Sequence, residues 1–265
     1  MRRRLDAELV RRGLVVSRTG AAEAIRAGRV LVGGAPASTP ARQVAAGEAI
    51  TVTGPPPRFV SRGGDKLDAA LRRFRVDVTG RRALDAGAST GGFTDCLLQA
   101  GAARVYSVDV GRGQLAWTLR QDRRVTVVER TNVRALEPAA LGGAVDVVTA
   151  DLSFISLLTV APALAGCAIP DGDFVLLVKP QFEAGRALVG RGGVVRDPAI
   201  HRRVLDEIVD GLASSGLLPQ AVMPSPRRGA DGNIEFLVHC RRTPPGELTP
   251  DAVEAAVVEA HGADA

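Results

Sequence analysis

From Arg82 onward, short apolar runs alternate with helix-length segments, and that alternation leaves few folds open. RALDAG, RVYSVD, VTVVER, DVVTAD and DFVLLV each read as a strand. GGFTDCLLQAG, GQLAWTLRQ, an apolar stretch after Asp151, and PAIHRRVLDEIVDGLASSG read as the helices between and after them. Repeated strand–helix–strand units specify a parallel sheet covered on both faces, a doubly wound α/β fold. LPQAVMPS and EFLVHC close the pattern as two strands of an expected hairpin.

The first fifty-odd residues follow another rule. LDAELVRRG predicts a short helix closed by Gly13, and Ser17 is placed to cap a second helix, SRTGAAEAIRAG, ending near Gly28. RVLVGGAPAS reads as strand, turn, strand, and VAAGEAITV as a further turn and strand. TGPPP then marks a boundary. The expected division is a small α+β domain over 1–57, a linker over 58–64, the α/β domain over 65–242 and a tail over 243–265. Residues 1–62 hold eleven Arg and four Asp or Glu, so the net charge of +5 divides as +7 on this segment and −2 on the remainder. A basic module on a nearly neutral body suits a polyanionic partner, and arginine is the better fork for phosphate.

Three cysteines, Cys96, Cys167 and Cys240, stand far apart without metal-ligand spacing, so neither a disulfide framework nor a metal site is expected. The charged N-terminus has no apolar segment behind it, so no signal peptide and a cytoplasmic location are expected. Leu152 to Pro170 carries no charge and is near the minimum length of a spanning helix. Its serines, threonine, glycine and Pro162, and the flanking Asp151 and Asp171, favour a loop plus a buried helix, so no membrane partner is expected.

The first strand runs into LDAGASTGGF. Gly87, Ala88, Ser89, Thr90, Gly91, Gly92 and Phe93 form a loop and helix start where a ligand can approach the backbone and meet free N–H groups. Asp109 ends the next strand, where an acid suits a ribose diol. Asn132, in the TNV loop, should lie near the adenine. The spacing from Asp85 to Gly92 is D-x-G-x-x-x-G-G, not the G-x-G-x-x-G that suits a pyrophosphate. It resembles motif one of S-adenosylmethionine (SAM) methyltransferases, with a nicotinamide dinucleotide as the rival ligand.

In DFVLLVKPQFE the buried run ends on Lys179. Such a lysine either snorkels to water or works where the strand opens into a site. Asp151 ends the neighbouring strand, Lys66 begins the helix before the sheet, and Glu235 opens the last strand. Each alone reads as a surface charge. Together, in the order Lys66, Asp151, Lys179, Glu235, they resemble the catalytic tetrad of FtsJ-type ribose 2′-O-methyltransferases. SRGGDKL, LDAGASTGGF, ADLSFISL, LLVKPQFE and SPRRGADGNIEF together resemble the TlyA, or haemolysin A, family of rRNA methyltransferases, over roughly residues 2–242. In that family an RNA-binding domain of the ribosomal-protein-four type precedes the methylase, and RRLDAELVRRGLVVSRTGAAEAIRAGRVLVGG is similar to it. The resemblance implies SAM-dependent methylation of cytidine 2′-oxygens in small- and large-subunit rRNA and a role in capreomycin sensitivity. Two positions depart from the family pattern: Asp65 precedes Lys66, and Phe59 stands where a tryptophan is usual.

On this reading Lys179 is the general base. A lysine with a pKa of about 10.4 must be lowered to act near neutrality, which burial and a second cation, Lys66, would favour. Asp151, also counted among the cofactor contacts, would aim the ammonium, and Glu235 would orient Lys66 or the ribose. Alternatively Lys179 only steers the hydroxyl lone pair. Arg2, Arg4, Arg18, Arg62, Arg130 and Arg134 are the expected RNA contacts. With 3% aromatics, stacking on bases is expected to be a minor theme. A monomer is expected. A nicotinamide oxidoreductase, a non-catalytic RNA-binding or ribosome-assembly factor and a membrane-lytic protein are the competing functions.

Overall fold

The computed structural model describes residues 2–15, 18–55, 57–185, 187–190, 192–229, 231–244 and 248–262. The chain divides into two compact units, 1–61 and 62–265. The position expected to cap the second helix, Ser17, lies outside the described residues.

In the first unit β1 (Arg2–Arg4), α1 (Leu5–Arg11), α2 (Arg18–Arg26), β2 (Val30–Val32), β3 (Ala35–Pro36), β4 (Gln43–Ala45) and β5 (Ile50–Val52) follow one another. β1 pairs with β4, and a three-stranded sheet has the order β3-β2-β5. Gly33 and Gly34 both have positive φ, 61° and 82°, which a two-residue hairpin turn between β2 and β3 demands. Leu5 and Leu9, one helical turn apart, are fully buried with Ile25, Val30, Val32 and Val44. β1 is absent from the sequence expectation: three arginines carry no strand signal, and their conformation comes from the ladder with β4.

The second unit contains α3 (Gly63–Phe74), β6 (Arg82–Ala86), α4 (Gly92–Gln99), β7 (Arg104–Val108), α5 (Trp117–Arg120), β8 (Val125–Val128) and β9 (Val145–Ala150). It continues with α6 (Leu157–Cys167), β10 (Ala168–Val178), α7 (Pro180–Glu183), α8 (Pro198–Ser214), β11 (Leu218–Pro224), β12 (Phe236–Arg241) and α9 (Pro250–Gly262). One seven-stranded sheet has the order β11-β12-β10-β9-β6-β7-β8. β6 to β10 run parallel, and β12 is antiparallel to both β10 and β11. This is the expected doubly wound α/β sheet ending in a hairpin. The winding reverses between β6 and β9, where the carboxyl ends of strands leave a crevice.

Three expectations change. GQLAWTLRQ is helical only over Trp117–Arg120, because the Asp109 and Glu129 carboxylates take the N–H groups of Gly111 and Gly113 and hold the approach as a loop. The segment 243–265 is not a detached tail. α9 buries Val253, Ala256, Val257 and Ala260, a helical stripe, and packs on α8 and β11. The expected linker ends early, since Gly63 and Gly64 already belong to α3. The uncharged stretch resolves into a loop, the eleven-residue α6 and the start of β10, and among the described residues no helix is long and apolar enough to cross a membrane.

α9 also meets α8 through two imidazoles. His201 is fully buried, its Nδ1 lies 2.9 Å from Nε2 of His261, its ring contacts Phe236 edge-on, and its Nε2 has no partner among the described residues. Burial, then the neighbouring His261, lowers its pKa to about 4, against Asp197, which raises it. The unfolded chain therefore binds more protons than the native state between about pH 6.5 and pH 4, so this histidine removes stability as pH falls through that window. Urea midpoints measured across it should fall less in His201→Leu than in wild type.

Candidate active site

Four strand ends meet at the crevice. The ladder sets Ala86 of β6 opposite Ala150 of β9, Ala150 opposite Leu176 of β10, and Val178 of β10 opposite Phe236 of β12. The residues just beyond these pairs are Gly87, Asp151, Lys179 and Glu235. Sheet register alone therefore places the glycine loop and three of the four candidate tetrad residues at one edge.

The fourth, Lys66, arrives on α3. Its Nζ pairs with Oε2 of Glu235, and the two side chains are 9% and 3% exposed. Lys179 Nζ lies 2.5 Å from Asp151 Oδ1 and donates to Ser153 Oγ at 3.0 Å. So the structure brings the four together as two ion pairs, each lysine with its own carboxylate. Asp65, the acidic departure beside Lys66, turns away: its Oδ2 accepts from Arg227 at 3.0 Å. Phe59, the other departure, is buried in the first unit with the Arg58 guanidinium 4.7 Å from its ring centre. The chain has two lysines against thirty-two arginines, and both lysines are in these pairs. That composition is a signal the motif reading overlooked, because lysine is the cation that can give up its proton.

The glycine loop shows a physical need at each end. At Gly87, φ is 86° and a Cβ would stand 2.5 Å from the Asp151 carbonyl oxygen. At Gly91, φ is 99° and a Cβ would meet Leu119 at 2.3 Å. Gly87 and Ala88 donate to the Val108 carbonyl at 2.8 and 3.1 Å, folding the loop over the end of β7. Ser89, with φ at 47°, donates its N–H to Asp109 Oδ2 at 2.8 Å, and Gly111 donates to Oδ1 at 2.6 Å. The Thr90 carbonyl accepts from Ala116 N–H at 3.2 Å. Gly92 opens α4, and the Phe93 side chain is buried, which leaves its first-turn backbone N–H to offer. Asn132 is exposed and its Oδ1 accepts from Arg134 N–H at 3.0 Å.

Asp85 tests whether a cationic ligand fits. It is fully buried, Thr94 Oγ1 donates to its Oδ2 at 2.6 Å, and Thr94 and Ser107 share a hydroxyl bond of 2.7 Å. Its Oδ1 has no partner among the described residues. Burial pushes its pKa up to about 7, and the Asp151 and Asp109 carboxylates add to the rise. An orphaned carboxyl oxygen beneath a glycine cradle, with acids at Asp109 and Asp151, suits a ligand that carries a positive charge and a sugar diol. Among the described residues no group of three or more His, Cys, Asp or Glu could hold a metal ion.

A groove of about 560 Å³ is lined by Phe154, Ile155, Gln181, Phe182 and Val189 among others. Phe154 is 91% exposed at a φ of 63°, a strained conformation for a bulky residue. Its ring lies 5.1 Å from that of Phe182, which lies 6.0 Å from Lys179 Nζ. The sequence reading missed Phe154, because exposure and positive φ are not visible in a string of letters.

The arginines divide. Arg4 and Arg18 both bind Asp6, at 2.9 and 3.0 Å, which places them in an internal network of the first unit as well as at its surface. Those pairs hold the Asp6 carboxyl down at about 2. Arg2 and Arg3 are exposed on β1 and form no side-chain bond among the described residues. Arg62 precedes α3; Arg130, at a φ of 55°, is tied to Gly111 by its backbone; Arg134 follows Asn132.

A doubly wound sheet with this strand order, a glycine loop at the reversal point and paired lysine–carboxylate groups beside it define a methyltransferase of the Rossmann-like class. Residues 59–242 match the FtsJ-like methyltransferase family and residues 3–50 match the S4 domain. The chain belongs to the FtsJ-like methyltransferase family, among the TlyA proteins that carry an S4 domain ahead of it. It is 53% identical to the 16S/23S rRNA (cytidine-2′-O)-methyltransferase TlyA of Mycobacterium tuberculosis, over 97% of this chain and 96% of that one. It is 38% identical to Hemolysin A of Brachyspira hyodysenteriae, over 89% of this chain and 98% of that one. A solved structure from Streptococcus thermophilus that carries a hemolysin name superposes with a TM-score of 0.81 at 40% identity, covering 98% of this chain and 96% of that one.

Asp85 makes a pH prediction. Its raised pKa means the native state holds more protons than the unfolded chain between about pH 4 and pH 7, so stability from this group is full below that window and is lost as pH rises through it. Asp85→Asn should flatten that loss, read as thermal midpoints at pH 5 and pH 8 against wild type.

Proposed function

We propose that this chain is a SAM-dependent rRNA (cytidine-2′-O)-methyltransferase, and that the two lysine–carboxylate pairs at the crevice are its catalytic groups. The observation that carries the reading is the meeting of Lys66–Glu235 and Lys179–Asp151 at the sheet edge that also bears the glycine loop. The substrate class comes from the relatives, of which the one from M. tuberculosis is named for cytidine 2′-oxygens in 16S and 23S rRNA.

Asp85, the 87–93 loop, Asp109, Asn132 and Asp151 would hold the cofactor, which supplies an electrophilic methyl group on a sulfonium. A ribose 2′-hydroxyl is a weak nucleophile until its proton is taken or hydrogen-bonded. Lys179 is the group to receive that proton, and Asp151 and Ser153 fix its nitrogen in place. Lys66, held by Glu235, would position the ribose. Much of the rate then comes from holding the hydroxyl in line, as is general for oriented bimolecular reactions. A second reading is favoured by the Asp151 contact: a carboxylate 2.5 Å away stabilises the ammonium, and a charged Lys179 would orient the hydroxyl lone pair without accepting its proton.

The exposed face of Phe154 offers a platform for the base once it is turned out of its helix. The first unit, with Arg2, Arg4 and Arg18, would deliver folded rRNA through phosphate contacts, and Arg62, Arg130 and Arg134 would add to them. The balance of +7 over residues 1–62 predicts salt-sensitive binding.

Methyl transfer from labelled SAM to unmodified ribosomal subunits tests this, with Lys179→Ala and Lys179→Arg in parallel. Label resistant to alkali at ribose is expected in wild type, and a loss of about 100-fold or more in Lys179→Ala. An arginine cannot accept a proton. Loss in Lys179→Arg equal to that in Lys179→Ala supports the base, while substantial activity in the arginine variant supports steering. Wild type that binds SAM and subunits but transfers nothing would sink the enzymatic reading.

A further inference from the structure

Gln181 sits in the short helix α7, two residues beyond Lys179, and lines the groove that Phe154 and Phe182 flank. Its side chain makes no hydrogen bond among the described residues, and its Oε1 is buried without a partner. A buried, unsatisfied amide oxygen costs stability, and an apolar side chain of the same size would avoid that cost. The residue therefore does nothing for the fold that leucine would not do better, yet it stands beside the reactive lysine in a groove with an exposed aromatic wall.

From this we propose that Gln181 binds the edge of the target cytosine and seats the nucleotide for transfer, an inference that rests on the rRNA methyltransferase reading above. The chemistry is complementary. Cytosine presents its N4–H donor beside the N3 acceptor. A glutamine amide presents an acceptor beside a donor. With the base stacked on Phe154 and the amide turned from its buried position toward the groove, the N4–H donates to Oε1 and the amide Nε2–H donates to N3. The orphaned oxygen gains its partner only when the substrate is in place, so the interaction is held in reserve for the complex. Gln181 in this role is a positioning residue: it touches the base, while Lys179 deals with the hydroxyl. The groove's other polar boundary is Ser156, whose Oγ already accepts from Leu158 N–H at 3.2 Å as the cap of α6, which leaves the amide as its uncommitted side-chain group among the lining residues.

The test is a substitution cycle. The nucleotide that wild type modifies is first located by mass spectrometry, and subunits are rebuilt with ligated rRNA carrying either cytosine or no base at that position. Full-length wild type and Gln181→Leu are compared on both by kcat and KM, with SAM affinity and the thermal midpoint measured alongside. On cytosine, Gln181→Leu should lose about tenfold in kcat/KM, the size expected for an edge pair. On the abasic substrate the two enzymes should be equal. SAM affinity should not change, and the thermal midpoint should hold or rise by about 2 °C. An equal loss on both substrates, or a fall in midpoint with no selective loss, would overturn the assignment and make Gln181 structural. Full activity of Gln181→Leu on cytosine would overturn it too. Wild type inactive on cytosine-bearing subunits would instead overturn the function on which the inference stands, so the two failures are separable.

Discussion

β10 is paired on both sides, parallel to β9 and antiparallel to β12, and the rest of the crevice depends on that double pairing. Its residues Phe174 to Val178 are all at most 3% exposed, so the strand has no freedom to slip: a shift of one residue would turn its side chains to the other face. Because Val178 is locked against Phe236, Glu235 and Lys179 leave the sheet side by side. Because Leu176 is locked against Ala150, Asp151 leaves next to them. The charges themselves do not choose their places. The apolar ladder does, and it carries them to the edge of the sheet.

Putting charge there has a cost that the pairing offsets. Removing one partner from a buried ion pair typically costs about 3–5 kcal/mol, because the other is left uncompensated. Both lysines here meet a carboxylate, and Lys179 has Ser153 as well. Among the described residues Asp85 has Thr94 alone, and its orphaned oxygen and raised pKa set it apart from these pairs. Gln181 Oε1, on a residue that lines the neighbouring groove, is also buried without a partner among the described residues. The opposite end of the sheet offers a contrast. There Asp173 accepts from Arg81, Arg241 and His239 at 2.8, 2.8 and 2.9 Å, which together hold its pKa well below the usual range despite burial. A fully satisfied carboxylate belongs to the fold, whereas Asp85 is incompletely satisfied beneath the glycine loop proposed to hold the cofactor.

Loop geometry repeats the theme at the level of the backbone. Gly87 approaches the Asp151 carbonyl so closely that any side chain would separate β6 from β9. Asp109 bridges Ser89 and Gly111 with its two oxygens, so the acid that would meet a ribose also braces the loop. Phe154 accepts a left-handed conformation directly after Ser153, the residue that holds Lys179. Strain in that turn stands beside the groups proposed to act, a common arrangement at functional sites.

Much of this was legible in the letters. The strand–helix alternation from Arg82, the glycine spacing from Asp85 and the lysine closing DFVLLVK are local patterns, and local patterns survive without a structure because periodicity and turn chemistry are properties of neighbouring residues. The stripe Val253, Ala256, Val257, Ala260 is a local pattern too, at helical spacing behind the prolines that precede it. What tertiary structure decided is everything that depends on residues far apart in the chain. Arg2–Arg4 is a strand because β4 is beside it. Lys66 and Glu235, 169 positions apart, share one proton-bearing contact. Asp65 points to Arg227, Phe154 stands in solvent, and Gln181 Oε1 has no partner among the described residues. The sequence alone determined which chemistry the chain could carry; packing determined which groups were satisfied and which were left waiting, because satisfaction is counted over atoms that only the folded chain brings into reach.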